Sequence, residues 1–199
     1  RNIYGTPPQG CADYAFQQHI IKSLDDKNGR CAILWPHGIL FRDAESSMRK
    51  KMIESDVVEA VIGLGPNLFY NSPMEACILV CNKGKKKERQ GKILFINAVN
   101  EVKRESAFSY LTDEHITKIH KAFVGYKDIK GFAKVVSIKD VLSSNGNTAI
   151  SLYVHNQKNR ISKIEDPSLS DMLKNWQKQS DLLRKDLSRM IDDLSVEIK

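Results

Sequence analysis

The sequence predicts an α/β fold, the closing half of an open α/β sheet, and three observations carry that prediction. Cys31-Ala32-Ile33-Leu34-Trp35 is a short apolar run closed by Pro36, as in a strand covered on both faces of a parallel sheet. Ala44 to Ser55 is charged, with Met48, Met52 and Ile53 at helical intervals, which predicts an amphipathic crossover helix. Val57-Val58-Glu59-Ala60-Val61-Ile62 is rich in β-branched residues and meets Gly63, so a second strand follows, and Cys77–Cys81 makes a third.

The remaining elements follow in chain order. Arg1–Gly10, with Gly5, Pro7, Pro8 and Gly10, reads as a loop. Asp13 is placed to cap a helix to about Leu24, with Tyr14, Phe16, His19, Ile20, Ile21 and Leu24 as its apolar face. Lys92–Ile96 is a strand expected to lie antiparallel to Cys77–Cys81, because the connection is short. Thr112 caps a helix to about Phe123, with Ile116, Ile119 and Phe123 turned inward. Val135–Ile138 and Ala149–Val154 read as short strands around an Asn145-Gly146-Asn147 turn, a small α+β extension. After Pro167, with Ser168 or Ser170 as cap, Leu169, Leu173, Trp176, Ser180, Leu183, Leu187, Met190 and Leu194 alternate by four and three, the seam of a long amphipathic helix. Such a stripe needs a partner, and Leu173, Trp176, Leu183, Leu187, Met190 and Leu194 are its candidate subunit-contact residues. The expected divisions are 1–100, 101–166 and 167–199.

The 199 residues are 41% hydrophobic and 28% charged, an ordinary globular composition. No apolar run approaches a membrane span, no signal peptide is visible, and a first residue Arg1 points to a fragment or processed product. Cys11, Cys31, Cys77 and Cys81 lack paired metal-ligand spacing and suit free thiols in a reducing cytoplasm. His115 and His120 are five apart and cannot share a helix face as a metal pair would. The formal charge of +7 is concentrated in Asn82–Lys92, where Lys83, Lys85, Lys86, Lys87, Arg89 and Lys92 face only Glu88. Lys85, Lys86, Lys87 and Arg89 are candidates for contacting a phosphate backbone, and a solvated hairpin loop is the alternative reading.

The segments RNIYGTPPQGCADYAFQQHIIKSL, GRCAILWPHGILFR, VVEAVIGLGPNLFY, ACILVCNK and GKILFINA, in that order, resemble the modification subunit of type I restriction-modification systems. That is a family of S-adenosylmethionine-dependent, adenine-specific DNA methyltransferases. The resemblance is close over residues 1–100 and looser beyond. It implies the C-terminal half of a Rossmann-like methyltransferase sheet, S-adenosylmethionine as cofactor, and double-stranded DNA as substrate. It also implies a specificity subunit, with or without a restriction subunit, as partner. The family's glycine-rich cofactor loop and its Asn-Pro-Pro-Phe/Tyr motif lie before the equivalent of Arg1. Thr6-Pro7-Pro8-Gln9 belongs to the later Gly-x-Pro-Pro loop, so half an active site is expected and the chain alone should be inactive. Carried over by motif, Phe16 and Asp13 are candidates for the cofactor wall, Phe16 for packing on the adenine ring. Phe69, then Tyr70, would stack on the flipped target base. His37, in Trp35-Pro36-His37-Gly38, is assigned a structural role. Asn71-Ser72-Pro73-Met74-Glu75 departs from the family's Gly-Thr-Gly-Ile-Pro. A non-enzymatic assembly module built on the long helix, with oligomer formation, is the alternative. A methyltransferase acting on RNA is a third reading.

Overall fold

The computed structural model describes residues 2–69, 72–105, 108–155 and 169–196, without the side chains of 169, 171 and 191–196. The chain divides into two compact units, Arg1–Asn156 and Gln157–Lys199.

In the first unit, helix α1 (Asp13–Ser23) leads into strand β1 (Arg30–Pro36), α2 (Ser46–Glu54), β2 (Val58–Leu64), β3 (Ala76–Asn82) and β4 (Lys92–Ala98). A two-stranded hairpin, β5 (Lys103–Arg104) and β6 (Ser109–Tyr110), is followed by α3 (Asp113–Gly125), β7 (Ala133–Ser137), α4 (Ile138–Ser143) and α5 (Ile150–Tyr153). The main sheet has the order β1-β3-β2-β4-β7. β2 and β4 are parallel neighbours, with Ala60 opposite Leu94. β3 lies antiparallel between β1 and β2, and β7 antiparallel to β4.

β2 is buried along its whole length, as its β-branched run requires. Tyr14 and Ile21 of α1, Met48, Met52 and Ile53 of α2, and residues of α4 and α5 cover one face. Ala122 of α3 and Phe132 cover the other over Ile62, Leu94 and Ile96.

Five expectations are corrected. β1 is an antiparallel edge strand: among the described residues its sole neighbour is β3, and Ala32 and Leu34 are exposed while Cys31 and Trp35 pack on the core. An apolar run reports that a strand is suited to burial, not whether a neighbour covers it. β4 runs opposite to β3, as the short connection demands, but pairs with β2. The Asn82–Lys92 turn crosses the start of β2, with Asn82 N–H donating to Val57 O (2.8 Å) and Gly91 N–H to Asp56 Oδ2 (2.9 Å). α1 has Ala12, not Asp13, as N-cap, and its buried stripe is Tyr14, Gln17, Gln18 and Ile21, while Phe16 and His19 face water. Residues 150–153 form a helical turn, because Ile150, Tyr153 and Val154 recur at helical spacing into the core and Asn147 Oδ1 accepts from Ala149 N–H (2.9 Å). Ile116 of α3 is exposed, the inward stripe being Ile119, Ala122 and Phe123.

Other expectations hold. Thr112 caps α3 in a capping box completed by His115, whose Nδ1 accepts from Thr112 N–H (3.3 Å). The Asn145-Gly146 turn exists, and Gly146 O accepts from the buried Arg49 Nε (2.8 Å), tying α2 to it.

In the second unit, α6 (Leu169–Val196) is a single helix of 28 residues. The Ser168 cap lies outside the described residues. Among the described residues no helix is long and apolar enough to cross a membrane.

Candidate functional site

β1, β2 and β4 run in one direction and finish in one row, Pro36 beside Ala76, Leu64 and Ala98. In open α/β sheets ligands bind where such strands end, because loops diverge there and leave a crevice.

At the end of β1, Pro36 cannot continue the ladder and the chain turns into a 3₁₀ segment, His37–Leu40. His37 Nδ1 lies 3.5 Å from Glu75 Oε2, which joins the end of β1 to the start of β3. His37 Nε2 is buried and has no hydrogen-bond partner among the described residues. Burial holds the imidazole below its ordinary pKa and the Glu75 carboxylate opposes this only in part, so His37 is largely neutral at pH 7. Glu75 stands where the resemblance places a proline. Its contact with His37 gives the altered loop a new attachment.

The β2–β3 loop folds back on itself: Ser72 N–H donates to Phe69 O (3.1 Å). Tyr70 and Asn71, between them, lie outside the described residues. Phe69 is half-buried and, with Trp35, Pro36, Met74 and Glu75, lines a cavity of about 180 Å³ at the strand ends. The loop can pass close to the exit of β4 because residue 65 is glycine. A Cβ there would stand 2.5 Å from Val99 O.

The head of α1 reaches the same end. Trp35 Nε1 donates to Gln17 Oε1 (2.7 Å), and Gln17 Nε2 donates to Cys81 Sγ (3.4 Å), fixing helix to sheet through a buried amide. Gln18 accepts from Tyr4 N–H (2.6 Å) and donates to Gly5 O (3.0 Å), holding the N-terminal loop. Phe16 is 60% exposed, an open aromatic face that fits packing against a flat heteroaromatic ring. Asp13 fits a cofactor contact less well, because its Oδ2 takes Arg42 Nη1 at 2.6 Å. Arg42 also lies 3.5 Å from the water-shielded Glu45, whose carboxyl is pushed up by burial and only partly restored by Arg42.

The candidate phosphate contacts lie at the opposite end of the sheet, six strand residues or about 20 Å away. Lys85 Nζ is almost wholly buried, on Asp56 Oδ1 (2.6 Å) and Lys92 O (3.0 Å). Arg89 holds Glu59 Oε1 (2.9 Å) and Val124 O (2.9 Å), with its guanidinium 4.5 Å from the Tyr126 ring centre. Glu59 is free to do this because the β2–β3 register shifts between Val58 and Ala60. Lys86 and Lys87 are exposed. The strand-end row therefore brings together Phe69, His37 and the head of α1, and leaves Lys85, Lys86, Lys87 and Arg89 elsewhere.

On α6, Leu173, Trp176, Leu183, Leu187 and Met190 are exposed, Leu183 at 70%. The side chain of Leu194 lies outside the described residues.

Sequence reasoning missed Gln17, Arg42 and Glu75. Gln17 and Gln18 sit at i+3 and i+4 from Tyr14, so admitting glutamine to the buried stripe would have found them. Arg42 and Glu75 are hidden by distance, because Asp13 lies 29 positions from Arg42 and His37 lies 38 from Glu75; only the Arg42–Glu45 spacing of three is local.

Residues 1–162 match the family described as N-6 DNA Methylase. The chain is 42% identical over 156 residues to the type I restriction enzyme MjaVIII methylase subunit of Methanocaldococcus jannaschii, covering 76% of this chain and 26% of that protein. It is 30% identical over 194 residues to the MpnII methylase subunit of Mycoplasma pneumoniae, covering 96% and 34%. Among solved structures it resembles the type I restriction-modification methyltransferase subunit from Streptococcus thermophilus, with TM-score 0.71 and 33% identity over 76% of this chain and 32% of that one. The chain thus spans about a quarter to a third of the length of these relatives.

Proposed function

Because the chain belongs to the N-6 DNA methylase family, among the modification subunits of type I restriction-modification systems, we propose that it forms the target-base side of a DNA adenine methyltransferase. The reaction is methyl transfer from S-adenosylmethionine to the exocyclic amino group of adenine in double-stranded DNA. The observation that carries the reading is Phe69, half-buried beside a cavity at the strand-end row. An extruded base loses its stacking neighbours, and an aromatic face at the mouth of a crevice replaces part of that energy. Tyr70 is the second candidate for this role.

S-adenosylmethionine supplies the activated methyl group. This chain's own contribution is a surface and a shape. Phe16 offers an aromatic wall beside the head of α1, while Asp13 acts through Arg42 to hold that head in place. Neutral His37, bridged to Glu75, fixes the base-facing loop to β1 without adding a second net charge to the pocket. Groups to accept hydrogen bonds from the target amino group are expected from the Asn-Pro-Pro-Phe/Tyr motif, which this sequence lacks. The chain alone is therefore inactive in this reading, and the open edge of β1 is where further strands of the enzyme add. A specificity subunit supplies sequence recognition, with the exposed stripe of α6 as its contact. Of the four basic candidates, Lys86 and Lys87 remain as phosphate contacts.

The test is transfer of labelled methyl groups to adenine-containing duplex DNA by the enzyme that includes this chain. Phe69→Ala should lower kcat/KM by about 1–3 kcal/mol, the worth of one base–aromatic stack, and Phe69→Trp should retain activity. Unchanged kcat/KM in Phe69→Ala, or methyl transfer by the 199-residue chain alone, would overturn the reading.

The exposed stripe of α6 favours a second reading, a non-catalytic assembly module. An oligomer lost on Leu183→Asp with Leu187→Asp, in an enzyme that does not bind S-adenosylmethionine, would favour it.

A further inference from the structure

The β5–β6 hairpin stands at the strand-end row, against the loop that carries Phe69. Lys103 pairs with Tyr110 and Arg104 with Ser109, and Glu105 N–H donates to Phe108 O (2.9 Å). It leaves the sheet just after β4, and it is fastened to the base-facing loop. Ser109 N–H donates to Asn67 O (2.9 Å), two residues from Phe69, and Val102 packs where Gly65 lacks a side chain.

Its surface is basic and aromatic by turns. Lys103 and Arg104 are exposed. Lys103 Nζ lies 5.7 Å from the Tyr110 ring centre, and Phe108, 54% exposed, tilts against Tyr110 with ring centres 6.2 Å apart. Glu101 pairs with Lys118, while Glu105, which accepts from the Tyr110 hydroxyl (3.2 Å), keeps its negative charge and acts on Lys103. Lys103 and Arg104 outnumber it, exposed beside an aromatic face on backbone held by main-chain hydrogen bonds.

We propose that this hairpin grips the DNA strand next to the extruded adenine, with Lys103 and Arg104 on backbone phosphates and Phe108 against a neighbouring nucleotide. The inference rests on the methyltransferase reading and deepens it. Opening a duplex exposes flat base faces between closely spaced phosphates, and alternating cations and rings match that pattern. The hydrogen bond at Asn67 ties the hairpin to the loop that carries Phe69, which favours the fixed mutual placement an extruded base requires.

The experiment is a salt titration of duplex binding by the assembled modification enzyme, with S-adenosylmethionine affinity measured alongside. Each phosphate neutralised contributes about 0.9 to the slope of log K against log salt. Lys103→Ala with Arg104→Ala should therefore flatten the slope by about 2 and weaken binding about tenfold at moderate salt, leaving S-adenosylmethionine affinity unchanged. Phe108→Ala should weaken binding without altering the slope, and Phe108→Tyr should restore it. An unchanged slope in the double variant overturns the hairpin assignment, whether or not affinity falls. A wild-type enzyme that does not bind duplex DNA overturns the methyltransferase reading itself, so the two failures are distinct.

Discussion

The two ends of the main sheet carry their charge in opposite ways. The Asn82–Lys92 turn holds six basic residues, yet Lys83, Lys85 and Arg89 are spent on Asp26, Asp56 and Glu59, and Lys92 Nζ donates to Glu88 O (3.3 Å). The β5–β6 hairpin holds two basic residues, and both face outward. The turn uses most of its charge to fasten a crossing segment over β2 and leaves Lys86 and Lys87 exposed, whereas both cations of the hairpin are exposed. Counting charges locates potential binding surfaces only after internal partners are subtracted, because a buried ion pair presents little net field to an approaching phosphate.

The largest effect that can break this comparison is on stability. Arg89→Ala leaves the buried Glu59 without its cation, whereas Lys85→Ala takes a buried lysine from the partly exposed Asp56, which keeps the Gly91 N–H. Arg89→Ala should cost about 3 kcal/mol and Lys85→Ala less, each read as a lower denaturant midpoint, since only a buried partner is stranded. A loss within about 0.5 kcal/mol, the range of ordinary surface substitutions, would mean that the turn's cations are not structural.

A smaller effect concerns pH at the other end. Burial depresses His37, so the folded chain binds fewer protons than the unfolded chain below the ordinary histidine pKa of 6.5. Stability is therefore present above that value and is lost as pH falls from it towards the depressed one. His37→Asn should flatten the unfolding midpoint between about pH 7 and pH 5. Parallel profiles for the two proteins would show that His37 is not the titrating group.

The smallest expected change sharpens the contrast. Lys86→Ala with Lys87→Ala should alter stability by less than about 0.5 kcal/mol. It should flatten the salt dependence of DNA binding less than the hairpin double variant does. An equal or larger flattening would make the turn the principal phosphate contact and demote the hairpin.

Much of the frame was legible because it rests on local pattern. The three core strands, the α2 crossover and the Thr112 cap are written in β-branched runs, helical spacing and a capping residue. The misreadings share a cause. Whether β1 has one neighbour or two, and whether β4 adds beside β2 or β3, depends on partners distant in sequence. Ala149–Val154 has strand composition, and tertiary packing of Ile150 and Tyr153 selects a helical turn instead. In the site, Phe69 could be placed by motif, whereas the His37–Glu75 contact arises from a departure whose partner no periodicity reveals.

The open edge of β1 has a practical consequence for anyone handling the chain. A seven-residue strand with one neighbour among the described residues and with Leu34 46% exposed invites another strand to add. In concentrated solution edge-to-edge pairing of two copies is the association such a strand favours. Leu34→Lys would blunt that edge and raise the concentration at which turbidity begins, but it would also place a charge in the cavity that Leu34 lines with Phe69.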